Sequence, residues 1–403
     1  MKWVFWISTI FILYAYFGYP LLLYGLNKLR CRPVLKGDLQ PVVSIIVAVR
    51  NDAERLETKL RNLFDSHYPR HLLDIVIASD GSTDRTTEVL KANSFARSVI
   101  IPEHVGKAEA INQALKLVRG EIVVFTDVRQ EIEPGAIQEL VSNFADPDVG
   151  CVSGELLFKC DQVTGKTGFS AYWAFEKMVR KLESSTGSVV GATGALYAVR
   201  RELIPPLPKG TLLDDVYIPL SAVSQRKRAI FEPNARVWDV QPAAASLEFS
   251  RKVRTLAGNY QLLQFAPWLL TSRNPLRFRF ISHKLLRLWV PFLLLALFCS
   301  SIALSGISFF TAAAACQIIF YGLAIIGLCR LPIPFASAAA SFCVLNAAAA
   351  VALVQFWRYR NNTTLLWRIG SYQSAIANAR AEETPKTYTT ASDTPTVTTQ
   401  RVS

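Results

Sequence analysis

The apolar residues of this chain concentrate near its two ends, and a more polar region lies between them. Residues 3–26 contain no charged side chain, and at about 1.5 Å per helical residue this run exceeds the ~30 Å core of a bilayer. The run is too long for a secretory signal peptide and lacks a small-residue cleavage site. It predicts a transmembrane helix over residues 1–27. Lys28, Arg30 and Arg32 follow, and the positive-inside rule puts the next segment in the cytoplasm.

A second apolar region covers residues 287–357. Arg330 is the only charged residue between Arg287 and Arg358, and the region divides into three predicted transmembrane helices at about 287–307, 309–329 and 334–357. Three spans put the tail on the opposite side from the polar region, although the arginines that begin the tail favour the cytoplasm. Either one segment is re-entrant or the charge signal is weak at this end.

Two flanking segments have a different composition. Residues 266–286 mix aromatic and aliphatic side chains with arginine and lysine, which predicts an interfacial amphipathic segment in contact with membrane lipid. Residues 358–403 are basic at first and then rich in threonine, with two prolines in the last part, which predicts a disordered tail.

The polar region between about 40 and 265 alternates short β-branched runs with amphipathic helical stretches. Such alternation predicts an α/β domain with a mostly parallel sheet and right-handed crossovers. Ser82 and Thr83 are expected to cap one helix and Gly120 to close another. The predicted strands are Val42–Val49, Ile75–Ser79, Ser98–Ile101 and Glu121–Thr126.

Composition supports a membrane protein. The chain of 403 residues is 51% hydrophobic and 19% charged, with more apolar surface than an ordinary soluble protein can bury. Its net charge of +13 suits nucleic acid, an anionic membrane or an anionic substrate, but the basic residues concentrate beside the apolar segments, so nucleic acid is not a predicted partner. The seven cysteines and four histidines show no metal-binding spacing, and the cysteines are interpreted as free thiols in a reducing cytosol.

Polar residues follow three of the predicted strands, where a parallel sheet binds its ligands. Arg50 follows the first strand, Asp80 the second and Asp127 the fourth. An Asp-Gly-Ser run is also an ordinary turn and helix cap, so Asp80 alone decides little. Carboxylates at such a rim suit Mg²⁺ or Mn²⁺ held jointly with a substrate phosphate.

Other candidate residues lie further along the chain. Lys107 begins a helix after a glycine and favours an anion such as a diphosphate, although a solvated lysine is the alternative. Asp214 and Asp215 lie in an apolar run, where one partly desolvated carboxylate would suit a general base and a helix cap is the alternative. Arg251 and Arg254 form either a diphosphate clamp or a basic strip facing the membrane.

The order of these motifs resembles the membrane-embedded branch of glycosyltransferase family 2, which includes cellulose, chitin and hyaluronan synthases and bacterial exopolysaccharide transferases. The resemblance covers roughly residues 40–290. It implies a GT-A fold and inverting transfer from a nucleotide sugar, usually UDP-linked, to a carbohydrate or lipid-linked acceptor. The motifs are Arg-Asn-Asp52, Asp80-Gly-Ser-Thr-Asp, Gly-Lys107-Ala with Asn112, Phe-Thr-Asp127, Gly191-Ala-Thr-Gly, Asp-Asp215 and Arg251-Lys-Val-Arg.

The resemblance also implies roles for individual residues. Asp80 would hold the nucleoside, Lys107 and Arg254 the diphosphate, and Asp127 would be the first acid of an Asp-x-Asp metal motif. Asp215 would be the catalytic base, with Asp214 in place of the family's glutamate. Arg50, Asp214 and Arg251 are further candidate substrate-binding residues.

Two departures from the family pattern affect these expectations. Arg129 stands where the second metal-binding acid is expected, so a metal would depend on Asp127 and the donor's phosphates, or would not be needed. Thr255 stands in place of a tryptophan that is associated with polymerising members. At most four spans make a thin polymer channel, which indicates an export partner or a product that is not translocated.

The expected location is therefore the plasma (inner) membrane, as a multi-pass protein with its catalytic domain in the cytoplasm. An alternative is a catalytically inactive, membrane-anchored nucleotide-binding or assembly subunit, which Arg129 would support. A channel or transporter is disfavoured, because the predicted spans carry no acidic residue.

Overall fold

The computed structural model describes residues 1–159, 168–240, 245–329, 331 and 333–362. In this part of the chain eight strands form one sheet, in the order β3-β2-β1-β4-β7-β6-β8-β5. The strands are β1 Val43–Val49, β2 Leu73–Asp80, β3 Arg97–Ile101, β4 Ile122–Thr126, β5 Glu131–Ile132, β6 Val149–Lys159, β7 Leu196–Arg200 and β8 Arg228–Val240.

The first half of the sheet is parallel. The pairs β1–β2, β2–β3 and β1–β4 are parallel, as is β6–β8, whereas β4–β7, β6–β7 and β5–β8 are antiparallel. Strands β1 and β4 are buried almost throughout because their apolar side chains point into cores on both faces of the sheet. The predicted α/β class with a mostly parallel sheet is confirmed.

Helices cover the two faces of the sheet and extend from it. Helix α3 shows why they form: Leu56, Leu60 and Leu63 recur at helical spacing and are buried against the sheet, while most of its other positions are polar. The helices are α1 Lys2–Leu13, α2 Tyr19–Leu29, α3 Ala53–Phe64, α4 Thr86–Ala92, α5 Lys107–Leu115, α6 Ala136–Ser142, α7 Gly168–Ser185, α8 Asp214–Ser224, α9 Ala245–Phe265, α10 Arg277–Arg279, α11 Leu286–Ala303, α12 Ser308–Leu328 and α13 Ala336–Tyr359.

The structure corrects two expected helix ends. Helix α4 begins at Thr86, because Ser82 and Thr83 instead bond to Asn51 and so tie together the ends of β1 and β2. Helix α5 ends at Leu115. Gly120 does not close it: its amide donates to Ser44 Oγ at 2.8 Å, and a Cβ at this position would lie 2.5 Å from the Ser44 amide nitrogen.

Among the residues that the structure describes, four helical stretches are long and apolar enough to cross a membrane: residues 2–29, 277–303, 308–328 and 336–359. Two contain a π-helical turn, at Tyr14–Gly18 and Phe280–Leu285. The second stretch begins at Arg277, so the end of the expected interfacial segment is continuous with a spanning helix. Most of the expected disordered tail, from residue 363 onward, lies outside the described residues.

A buried polar cluster joins the membrane helices to the sheet domain. His283, in the π-helical turn before α11, contacts Glu183 of α7 through Nδ1 at 2.8 Å and Glu176 through Nε2 at 3.2 Å. Tyr19 of α2 donates its hydroxyl to the same Glu183 carboxylate at 2.6 Å. Arg279, expected to face lipid, instead donates to backbone carbonyls at the end of α7. Helix α7 is thereby fixed to the first two spans.

Candidate active site

A small pocket opens at the carboxyl ends of β1 and β4. Its polar wall consists of Lys107 at the start of α5, Thr126 at the end of β4, Gly194 before β7 and Asp214 at the start of α8, and side chains of β1, β4 and α5 form its apolar wall. This is the rim at which the sequence predicts a ligand site, because parallel strands deliver their following residues to one edge.

Lys107 connects two of the predicted acids. Its Nζ lies 3.1 Å from Asp127 Oδ1 and 3.2 Å from Asp214 Oδ1, although these carboxylates come from different strand and helix ends. Burial lowers the pKa of Lys107, but the attraction of the two carboxylates outweighs burial and raises that pKa above its usual value. The pKa of Asp127 is lowered for the complementary reason, by Lys107 and Arg129 against the effect of burial. Lys107 and Asp127 are therefore both charged at neutral pH.

Asp80 supports the segment that presents Lys107. Its side chain is buried, and it accepts hydrogen bonds from the amides of Val105 at 2.7 Å and Gly106 at 3.0 Å and contacts His104 Nδ1 at 2.8 Å. Gly106, at φ +94°, adopts backbone geometry that favours glycine immediately before α5. Asp80 thus lies beside the pocket, and its carboxylate holds the turn that carries Lys107.

The two adjacent acids of α8 have different surroundings. Asp214 is buried and accepts a hydrogen bond from Tyr197 Oη at 3.1 Å in addition to the Lys107 contact. The half-buried Asp215 carboxylate accepts no hydrogen bond from a residue that the structure describes. Burial, followed by the nearby Asp214 charge, raises the pKa of Asp215 to about 6. Asp214 is thus engaged by Lys107 and Tyr197, whereas Asp215 is able to exchange a proton near neutral pH.

The small-residue bend of residues 191–194 packs against Asp215. The amide of Ala192 donates to the Asp215 backbone carbonyl at 2.8 Å. A Cβ at Gly194 would lie 3.0 Å from Asp215 Oδ2, which is tighter than ordinary van der Waals contact. The absence of a side chain at Gly194 therefore leaves room for the Asp215 carboxylate.

We expect Gly194→Ala to displace the Asp215 carboxylate and to lower kcat about tenfold, with little change in nucleotide binding. Gly135→Ala is the matched control, because a Cβ there meets nothing within 4 Å. Steady-state kinetics of both variants test this expectation. Unchanged kcat in Gly194→Ala would show that the close contact does not fix the carboxylate.

The predicted arginines occupy the same side of the domain. Arg254 and Arg251 lie one turn apart on α9, and Arg254 interacts electrostatically with Arg129 and Asp127. Burial and the neighbouring Arg129 lower the pKa of Arg254 to about 10. Arg50 follows β1 at this edge of the sheet and is half-buried. Helix α9 is itself supported by the last membrane helix, where Phe356 stacks on Tyr260 with ring centres 5.7 Å apart.

Two further residues contact the site, although no sequence pattern predicted them there. Tyr197 of β7 stacks on Phe125 and reaches Asp214. Lys59 of α3 is buried and donates to Thr126 Oγ1 at 3.1 Å and to the Gln130 carbonyl at 2.8 Å, so it ties down both sides of Asp127. Burial lowers the pKa of Lys59 to about 7. In the sequence, Tyr197 fits the apolar pattern of a strand and Lys59 fits the pattern of an amphipathic helix, so neither is recognisable as a site residue.

The side chains around Asp127 do not provide a metal site of their own. Within the described ranges, no group of three or more His, Cys, Asp or Glu residues could hold a metal ion. Asp127 Oδ1 faces Lys107, and its Oδ2 faces Arg129 Nη1 at 3.3 Å. Divalent ions of the Mg²⁺ type need several oxygen ligands, so this rim would depend on the ligands that a bound substrate brings.

Comparison with known proteins gives this site its context. Residues 44–205 match the profile of glycosyl transferase family 2. The chain is 25% identical over 284 residues to the poly-beta-1,6-N-acetyl-D-glucosamine synthase of Staphylococcus aureus, covering 68% of each protein. It is 24% identical over 254 residues to the Staphylococcus epidermidis synthase of the same name, covering 60% of this chain and 61% of that protein.

A solved structure extends the similarity to the whole fold. The mannosyltransferase of Pyrobaculum calidifontis, in complex with GDP-Man and Mn²⁺, has a TM-score of 0.65 and 25% identity, covering 87% of this chain and 98% of that one. The GT-A fold with flanking apolar helices is thus confirmed. Together these findings show a glycosyl transferase family 2 domain over residues 44–205, in a chain that is similar to membrane-embedded exopolysaccharide synthases of that family.

Proposed function

We propose that this enzyme of exopolysaccharide synthesis transfers a sugar, with inversion, from a UDP-linked donor to a hydroxyl group of a carbohydrate or lipid-linked acceptor at the membrane. The observation that carries the proposal is the Lys107 ammonium between Asp127 and Asp214, with the Asp215 carboxylate beside it. The synthase relatives support a β-linked N-acetylglucosamine product by their name. The mannosyltransferase, solved with GDP-Man, makes a guanosine donor the second candidate.

The donor's diphosphate is proposed to bind at Lys107 and Arg254. Departure of a nucleoside diphosphate develops negative charge, which fixed cations in a partly buried site stabilise. Lys107 is held charged by its two carboxylates, and Arg254 lies within electrostatic reach of the same Asp127. The mannosyltransferase structure contains Mn²⁺, which makes a metal-assisted site the alternative: a Mg²⁺ or Mn²⁺ ion would then be held by the donor's phosphates and Asp127.

The proton of the acceptor hydroxyl is proposed to pass to Asp215. The acceptor oxygen forms a bond to the anomeric carbon while the bond from that carbon to the diphosphate oxygen breaks, and the leaving group departs with the electron pair. Asp215 suits this role because its carboxylate is not committed to Lys107, whereas that of Asp214 is. A single displacement of this kind inverts the anomeric centre.

We expect the pH dependence of kcat/KM to follow the protonation of the Asp215 carboxylate. Burial and Asp214 raise the pKa of this carboxyl to about 6, and below that pH the carboxylate becomes protonated and can no longer act as a base. A base acts only when unprotonated, so kcat/KM should fall about tenfold for each unit of pH below that pKa and level off above it. A profile that stays flat between about pH 5 and 7 would remove Asp215 from the role of base.

The membrane arrangement is also a proposal. Lys28, Arg30 and Arg32 follow the first span and favour a cytoplasmic catalytic domain, in a multi-pass protein of the plasma (inner) membrane. Arg30 and Arg32, directly after the first span, suit contact with anionic lipid headgroups. The four candidate spans of the described residues make a thin channel for a polymer, which favours an export partner or a product that is not translocated.

A donor screen tests the proposed function. Full-length protein in membranes is incubated with UDP-N-acetylglucosamine, UDP-glucose and GDP-mannose, and the products are analysed by mass spectrometry. We expect one donor to give glycosylated product with stoichiometric release of nucleoside diphosphate. Binding of nucleotide without release or product from any donor would favour the inactive-subunit alternative instead.

A further inference from the structure

Arg129 occupies a fixed position at the pocket rim. Its Nη1 lies 3.3 Å from Asp127 Oδ2, and its Nε donates to Asp239 Oδ2 at 3.1 Å. Gln130 donates to the same Asp239 oxygen at 2.9 Å. The guanidinium is therefore held between the end of β4 and the end of β8, while 35% of its side chain stays accessible to a ligand.

This arrangement uses both oxygens of Asp127. Lys107 faces Oδ1 and Arg129 faces Oδ2, so each oxygen of the carboxylate already has a cation beside it. A metal ion at Asp127 would have to displace one of these partners and would be repelled by both. Arg129 is itself secured by Asp239, a second carboxylate, and this makes its displacement harder.

Two cationic side chains contact the Asp127 carboxylate, and a third, that of Arg254, lies within electrostatic reach of it. Arg254 interacts with Asp127 and lies close enough to Arg129 for the two guanidinium groups to repel each other. An arginine presents several N–H donors in a planar fork that matches phosphate oxygens. A diphosphate that enters beside Asp127 would relieve this repulsion by accepting hydrogen bonds from both guanidinium groups.

We propose that Lys107, Arg129 and Arg254 bind the donor's diphosphate without a divalent metal, and that Arg129 supplies the positive charge that a metal ion would otherwise supply. This inference rests on the proposed function, because it concerns the diphosphate of a nucleotide-sugar donor. It makes Arg129 a diphosphate-binding residue of the active enzyme, whereas in the sequence Arg129 was the feature that supported the alternative of an inactive subunit.

The test is calorimetric titration of UDP, and of GDP in parallel, into the purified full-length chain with EDTA and again with Mn²⁺. We expect the wild-type Kd to agree between the two conditions within about threefold. Arg129→Asp should weaken binding in EDTA by about 30-fold, since it removes a cation that contacts the diphosphate. Mn²⁺ should restore its binding, because the introduced carboxylate lies two residues after Asp127 and supplies a second oxygen ligand.

Further variants separate the charge of Arg129 from the fold. Arg129→Lys should keep most of the binding in EDTA, whereas Arg129→Gln should lose about tenfold and gain nothing from Mn²⁺. Arg61→Asp, at an exposed position on α3, is the charge-matched control and should behave as the wild type. Electron paramagnetic resonance should detect Mn²⁺ immobilised by Arg129→Asp with UDP, but not by the wild type.

The outcomes distinguish the inference from the function on which it rests. Wild-type protein that binds UDP or GDP only with Mn²⁺, or Arg129→Asp protein that binds in EDTA as tightly as the wild type, would overturn the role of Arg129. If Arg129→Asp fails to fold, the Arg129→Gln titration decides the same question. Failure of the folded wild type to bind either nucleotide under both conditions would instead contradict the proposed function.

Discussion

Replacing Asp215 by asparagine is expected to reduce kcat by about 10² to 10⁴, because the amide cannot accept the proton of the acceptor hydroxyl. Of the two adjacent acids, Lys107 forms an ion pair with Asp214 and not with Asp215. The raised pKa of Asp215 suits a base that acts near neutral pH. Since the diphosphate is proposed to bind at Lys107 and Arg254, nucleotide binding should change little. Turnover and calorimetric binding of the same preparation provide the two readouts.

Asp214→Asn is an informative comparison. It removes the charge that pairs with Lys107 and accepts from Tyr197, so we expect it to weaken donor binding as well as turnover. Asp148→Asn, at an exposed position away from the pocket, controls for the loss of an acid. Near-normal turnover in folded Asp215→Asn protein would exclude this carboxylate as the base.

Removing the Lys107 side chain is expected to have the second large effect. Lys107→Ala should weaken nucleoside diphosphate binding by about 100-fold, since it removes a cation from the diphosphate site. It also leaves Asp127 and Asp214 without their shared partner, and breaking a buried pair costs about 3 kcal/mol of folding free energy, less where water reaches the group. Calorimetry and thermal unfolding separate the two effects.

Lys116→Ala provides the matched control for this change. It lies directly after α5, at an exposed position, and should leave binding and stability unaltered. Lys107→Arg keeps the charge and should recover much of the stability. Diphosphate binding that survives Lys107→Ala undiminished would mean that the donor binds at a different place.

The sequence was sufficient to predict the parallel half of the sheet and the residues at its rim. Strands β1 and β4 are continuous apolar runs that only a sheet covered on both faces can bury, and the polar residues that follow them must meet at one edge. This topological rule explains why Lys107 and Asp127, twenty positions apart, were both predicted at the edge where the structure joins them.

Other features depend on contacts that local patterns do not encode. Tyr197 and Lys59 reach the site from β7 and α3, and each has an ordinary place in the apolar or amphipathic pattern of its own element. The pairing of His283 with Glu176 and Glu183 joins segments about a hundred residues apart. The start of α4 was misplaced because Ser82 and Thr83, good capping residues, bond to Asn51 across the sheet edge.

The most direct measurement of the central claim is a cryo-electron microscopy structure of the full-length chain with the nucleoside diphosphate of its donor bound. We predict the diphosphate in ion-pair contact with Lys107 and Arg254 at the rim beside Asp127, with the Asp215 carboxylate facing the space that the sugar occupies. A diphosphate bound away from Lys107 and Arg254, or separated from Asp215 by the sheet, would contradict this account.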